Sequence, residues 1–124
     1  MTRRWLVIIP LLLALSPARA QTGQELFEIC TNGFAEQLSC LSYISGFLAG
    51  MRAGADLHGE ICLPETLTGA DASEIFVETL ADIKTAQVEG RMPPGPNPFF
   101  TQPQNAALAA SLGLRFPCPK VNTK

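Results

Sequence analysis

Four cysteines and a single histidine offer this chain its main chemistry, and their spacing decides among crosslinks, metal ligation and nucleophilic catalysis. Cys30, Cys40, Cys62 and Cys118 contain no Cys-x-x-Cys pair of the kind that zinc sites use, so no metal centre is expected. An even number of cysteines in a short exported chain points instead to two disulfides made in an oxidising compartment. Four cysteines allow three connectivities. The preferred pairing joins Cys40 to Cys62, returning a loop onto the central helix, and Cys30 to Cys118, joining the two ends.

His58 lies in a glycine-flanked stretch between Asp56 and Glu60. An Asp-x-His-x-Glu cluster could supply a general base or a ligand, but three such groups on a turn lack the packed hydrogen-bonding partners that hold a catalytic or metal-bound imidazole in place. A solvated loop histidine is the expected reading. With the cysteines oxidised, no thiolate remains for a Cys/His pair. Ser39, Ser42 and Ser45 fall inside a helical pattern without a Gly-x-Ser-x-Gly elbow around them. The residues therefore argue against an enzyme and require no cofactor.

Export is written at the N-terminus. Arg3 and Arg4 precede an apolar run from Trp5 to Leu15, and Ser16-Pro17 then leads to Ala18-Arg19-Ala20, the layout of a cleavable signal peptide over residues 1–20. The run is shorter than the roughly 20 residues that span a bilayer, so no lasting membrane insertion is expected. Residues 21–124 then form one domain. Arg3, Arg4 and Arg19 leave with the signal, so the scattered Arg52, Lys84, Arg91, Arg115, Lys120 and Lys124 stand against eleven Asp and Glu. Nothing in that distribution could follow a phosphate backbone, which excludes nucleic acid as a partner class. Net negative charge favours a cationic partner.

The elements that must position these groups are helices. Gln24 to Cys30 reads as a short amphipathic piece. From Phe34 to Ala53, Phe34, Leu38, Leu41, Ile44 or Ser45, Leu48 and Met51 recur at three and four residues, the period of a helix buried along one side. The stretch from Gly54 to Glu60 reads as a loop. A further helix runs from about Ala72 to Val88, with Thr68 or Asp71 as its cap and Phe76, Leu80 and Ile83 as its buried stripe. Glu74, Glu78 and Asp82 line its other side, either as a solvated face or as an acidic patch for a basic partner. Pro-Pro-Gly-Pro-Asn-Pro at 93–98 stops the helix. Thr101 is placed to cap a last, alanine-rich helix that begins near Pro103. With valine limited to Val77, Val88 and Val121 in residues 21–124, an all-β module is excluded. The expected class is all-α, a small disulfide-stabilised bundle of about four helices.

Gly46, Gly50 and Gly54 form a stripe along the central helix, each interior glycine costing roughly 1 kcal/mol against alanine. Close approach by a neighbouring helix is the preferred reason; a shallow groove for a partner's peptide is the other. Phe99 and Phe100, just beyond the prolines, are either a plug on the core or an apolar contact surface.

Cys40-Leu41-Ser42-Tyr43-Ile44-Ser45-Gly46, then Cys62-Leu63-Pro64, a proline-rich turn, an alanine-rich helix and Phe116-Pro117-Cys118 together resemble the Rap1a/Tai family of periplasmic immunity-type proteins associated with type VI secretion. The resemblance spans about Leu26 to Cys118. It implies an all-helical fold and a protein partner, a periplasmic peptidoglycan amidase toxin whose Cys/His cleft is covered sterically. Cys40, Tyr43, Gly46, Cys62, Pro64, Pro117 and Cys118 match the recurring positions and read as scaffold, together with Gly50 and Gly54; Cys30 is additional. Partner contacts are expected in loops, with Asp56, His58, Glu60, Phe99 and Phe100 as the candidates. The rival readings are a periplasmic stress or chaperone-like binding protein and a hydrolase dependent on His58.

Overall fold

The computed structural model describes residues 21–54 and 60–120, and in these the chain forms the expected helices and adds one short helix. They are α1 (Gly23–Thr31), α2 (Phe34–Ala53), α3 (Gly69–Val88), α4 (Pro98–Thr101) and α5 (Gln104–Arg115). Among the described residues there is no strand, only two isolated antiparallel bridges, Thr22 with Pro103 and Ile61 with Pro117. No described helix is long and apolar enough to cross a membrane. The signal-like residues 1–20, the candidates Asp56 and His58, and Val121 to Lys124 lie outside the described residues.

Helix α3 is the hub. Thr68 and Asp71 begin it with a reciprocal cap: the Thr68 hydroxyl accepts the Asp71 amide at 3.1 Å, and the Asp71 carboxylate accepts the Thr68 amide at 3.0 Å. Those bonds to the charged form hold the Asp71 carboxyl below its ordinary range. Ala72, Phe76, Leu80, Ile83 and Ala86 then recur at three and four residues and are all buried. Phe76 and Leu80 meet Leu26 of α1, Ile44 and Leu48 of α2, and Leu108 and Leu112 of α5 in one apolar core. The helix ends where Gly90 takes a positive φ of 75°, a conformation open to glycine at no steric cost. Gln87 then donates to the carbonyls of Pro93 and Gly95, at 3.1 and 3.2 Å, and folds the proline run against the helix end.

Helix α2 differs from the expected pattern. Cys40, Ile44, Leu48 and Met51 make its buried stripe, but Phe34 and Leu38 are 79% and 49% exposed. The reason is that the first turn and a half of α2 precedes its crosslink to α1, and all of Phe34 to Ser39 stands clear of the core. The preferred explanation of the glycine stripe is also corrected. A methyl group on Gly46 or Gly50 would meet nothing within 4 Å, so no neighbouring helix packs against either position. Close approach falls elsewhere: a methyl on Gly23 would overlap the Phe99 carbonyl oxygen and lie 2.8 Å from Ala107 Cβ, and one on Gly69 would overlap the Ser45 hydroxyl.

Both preferred disulfides are overturned. Cys30 pairs with Cys40, and Cys62 pairs with Cys118. Only Asn32 and Gly33 separate α1 from α2, so the last turn of α1 folds directly beside the second turn of α2. Cys62 instead meets the end of the chain, where its amide donates to the Phe116 carbonyl at 2.9 Å and the Cys118 amide donates to the Glu60 carbonyl at 3.1 Å. Thr101 does not cap α5. It ends α4, whose own cap is the Asn97 side chain, and Pro103 occupies the position before α5. The Gln104 amide finds its acceptor across the molecule, in the Gln21 carbonyl at 2.7 Å.

Two outcomes follow for stability. Gly46→Ala, in open space on a helix, raises unfolding free energy by up to about 1 kcal/mol, whereas Gly23→Ala lowers it by about 1–3 kcal/mol through overpacking; denaturant titration of both variants reads the opposite signs. The two crosslinks differ in the chain they close, 10 and 56 residues apart in sequence. Chain entropy makes loss of Cys62–Cys118 (both to Ala) cost about 4 kcal/mol and loss of Cys30–Cys40 about 3 kcal/mol, checked by the same titration with peptide mapping of the wild-type pairs.

Candidate protein-binding surfaces

The candidate contact residues divide between two places. Phe99 and Phe100 sit on α4, which exists because Pro98 starts it and the Asn97 side chain accepts the Phe99 amide at 3.0 Å. Both rings are half-buried and packed against the core. Phe100 meets Phe27 of α1 edge-on, with centroids 6.2 Å apart, and the Lys84 ammonium of α3 stands over the two rings at 4.5 Å from Phe27 and 5.2 Å from Phe100. One cation thus links three helices, and Phe100 closes an edge of the core while keeping part of its ring at the surface.

Glu60, the described member of the acidic-histidine cluster, is exposed. Next to it the Ile61–Pro117 bridge, its two flanking backbone hydrogen bonds and the Cys62–Cys118 disulfide form a staple that joins residues 60–62 to residues 116–118. Arg52 braces the next segment: one guanidinium nitrogen donates to the Leu67 carbonyl at 2.7 Å and to the Pro64 carbonyl at 3.3 Å. Pro64 is thus held by Arg52, and Pro117 by its bridge to Ile61. Gly54 ends α2, donating its amide to the Gly50 carbonyl.

Between α3 and α5 lies a cleft that the residues alone did not reveal. It has a volume of about 150 Å³ and runs between α3 and the last turn of α5. Ile75, Glu78, Thr79 and Asp82 form one wall; Ser111, Leu114 and Arg115 form the other. The Thr79 hydroxyl donates to the Ile75 carbonyl at 2.7 Å and the buried Ser111 hydroxyl to the Ala107 carbonyl at 2.9 Å, so both are turned back into their own helices. No described residue bonds to the Glu78 or Asp82 carboxylates, and the ion pair found among the described residues, Arg91 with Glu89, is elsewhere. Leu114 is 68% exposed at the rim. The signal was present in the sequence: Leu114 falls off the α5 stripe of Ala107, Leu108, Ser111 and Leu112, leaving an apolar side chain with no place in the core.

The outward side of α2 is the other uncovered surface. Exposed Phe34 and Leu38 continue into Ser42, Gly46, Ala49 and Gly50, without a charge along that strip. On the inner flank, Tyr43 is half-buried; burial pushes its phenol above the ordinary range, and the nearby Gln104 side chain offsets part of the rise. Gln104 Oε1 itself is buried without a partner. Among the described residues no three His, Cys, Asp or Glu side chains converge as a metal site.

A family model described as Rap1a immunity proteins matches residues 22–93, more than half of the chain. The match runs from the cap of α1 to the turn beyond α3 and includes Cys30, Cys40, Tyr43 and Cys62. No curated protein and no solved structure matches.

Tyr43 is the chain's one tyrosine, so phenolate absorbance titrates it alone. Its midpoint falls above about 10, the ordinary value. Because burial favours the neutral phenol in the folded state, the associated stability is present below the unfolded pKa and is lost as pH rises through the folded one. Tyr43→Phe removes that alkaline dependence; a midpoint at or below the ordinary value contradicts the assigned packing.

Proposed function

The chain belongs to the family of Rap1a immunity proteins, and from that premise we propose that it is a periplasmic immunity protein that binds and sterically inhibits a peptidoglycan amidase effector. Immunity proteins of this family are inhibitors and not enzymes, so the partner is a protein effector. Family membership over α1 to α3 is the observation that carries the reading. The two disulfides are consistent with an exported protein, and the signal-like residues 1–20 direct it to the periplasm, where a cell-wall amidase delivered by type VI secretion would act.

Steric inhibition needs a rigid body that presents a protruding segment to a cleft. The stapled core supplies such a body, since a preorganised surface forfeits less entropy on binding. We assign the contact to the segment containing Asp56, His58 and Glu60, which the staple anchors at one end, and to Phe99 and Phe100. The net negative charge of residues 21–124 favours encounter with a basic effector and makes association sensitive to salt.

The test is a titration of purified residues 21–124 against peptidoglycan amidases, beginning with any encoded beside this gene, with hydrolysis of a cell-wall peptide as readout. Hydrolysis is expected to disappear at a stoichiometric ratio, with a complex visible by size exclusion. Undiminished hydrolysis and no complex overturn the amidase assignment.

A further inference from the structure

The two crosslinks lie in different surroundings. Cys30 and Cys40 are 9% and 1% exposed and belong to the apolar core, where the Cys40 sulfur sits 3.3 Å from the Ser73 hydroxyl of α3. Cys62 is exposed and Cys118 half-buried, and neither contributes to that core. Thiol–disulfide exchange requires a thiolate to reach one sulfur of the pair, so access sets which bond opens first. Exposed disulfides are accordingly the labile ones, and buried ones react only when the structure around them opens.

The exposed pair is also placed to open locally. Apart from their sulfurs, residues 60–62 and 116–118 are joined by the Ile61–Pro117 bridge and by two backbone hydrogen bonds, from the Cys62 amide to the Phe116 carbonyl and from the Cys118 amide to the Glu60 carbonyl. The α5 residues of the core, Ala107, Leu108 and Leu112, precede this junction and are fully buried. Their burial uses neither sulfur.

We propose that Cys62–Cys118 is a site of thiol–disulfide exchange, opened by a dithiol of the Cys-x-x-Cys kind while Cys30–Cys40 stays closed and the core stays folded. One thiolate of the dithiol attacks the sulfur of Cys62, the more exposed residue of the pair. A bond forms to Cys62, the Cys62–Cys118 bond breaks, and Cys118 leaves as a thiolate. The second thiol, once deprotonated, attacks the mixed disulfide, so that Cys62 leaves as a thiolate and the dithiol becomes a disulfide. Two electrons pass from the dithiol to the protein, and its two thiol protons are matched by those taken up at Cys62 and Cys118. The selectivity is one of rate. At equilibrium a crosslink between residues 56 apart restricts the unfolded chain more than one between residues 10 apart, so the exposed bond re-forms once the dithiol is replaced by an oxidant. The site goes beyond the immunity reading and does not depend on which protein the chain binds.

The probe is dithiothreitol, added without denaturant to purified residues 21–124 carrying both disulfides, with quenching by iodoacetamide at intervals and digestion by trypsin. Cleavage after Arg52, Lys84 and Arg115 leaves Cys30 and Cys40 on one peptide and puts Cys62 and Cys118 on two others, so each pair is read separately. Cys62 and Cys118 are expected to be labelled about tenfold faster than Cys30 and Cys40, the effect of a modest opening cost at the buried pair. In guanidinium, where neither pair is buried, the difference is expected to vanish. Equal rates without denaturant, or Cys30–Cys40 opening first, overturn the proposal. Amide spectra of the ¹⁵N-labelled protein, taken when only the exposed pair is open, read whether the opening is local. The Ile44, Phe76 and Leu80 amides are expected to keep their shifts while those of residues 60–63 and of Phe116 and Cys118 move; collapse of the whole spectrum contradicts local opening. With glutathione in place of dithiothreitol, the trapped adduct is expected on Cys62, and an adduct confined to Cys118 overturns the direction of attack.

Discussion

The joining of Glu60–Cys62 to Phe116–Cys118 is the constraint on which the arrangement depends. A disulfide, an isolated bridge and two backbone hydrogen bonds bring positions 56 residues apart in sequence into contact. Closing so long a loop is entropically expensive in the unfolded chain, and the crosslink removes that cost from folding. With the C-terminus held there, α5 lies along α3 and delivers Ala107, Leu108 and Leu112 to the core. The same contact sets the distance between the α3 carboxylates and the last turn of α5. The junction thus holds the α5 edge against a core that Leu26, Ile44, Leu48, Phe76 and Leu80 build from the other helices.

A second junction works at shorter range. Cys30–Cys40 locks the α1–α2 hairpin, and Cys40 sits buried with its sulfur 3.3 Å from the Ser73 hydroxyl of α3. The far ends of the helices are joined by polar groups: Gly23 and Gln104 donate their amides to Gln102 and Gln21, and Lys84 spans the aromatic pair of α1 and α4. A domain this small has little core to spare. Two crosslinks and a cation over two rings keep short helices from separating.

Much of this was legible from the residues. The long helices, the Thr68 cap and the buried Phe76, Leu80 and Ile83 follow from local period and capping chemistry, which depend on neighbours three or four positions away. Family resemblance was likewise carried by ordered local motifs around Cys40, Cys62 and Cys118. The disulfide partners were not legible, because spacing alone cannot say that a two-residue turn puts Cys30 beside Cys40. Phe34 and Leu38 fit the helical period as well as Ile44 does, but period assigns a face and not the point along it where the core begins. The glycines at 46 and 50 suggested a packed neighbour, yet small size is equally compatible with a bare outer surface. The α3/α5 cleft needed two helices from distant parts of the chain, and only Leu114 hinted at it.

For function, the decisive property is that the staple fixes the surface beside it. Amide hydrogen exchange on the Cys62→Ala/Cys118→Ala protein measures this directly. The account predicts that protection collapses at residues 61–63 and 112–118 while Ile44, Phe76 and Leu80 keep most of theirs, showing a core that persists without its junction. Loss of protection by all of these amides together, in a single step, would contradict it.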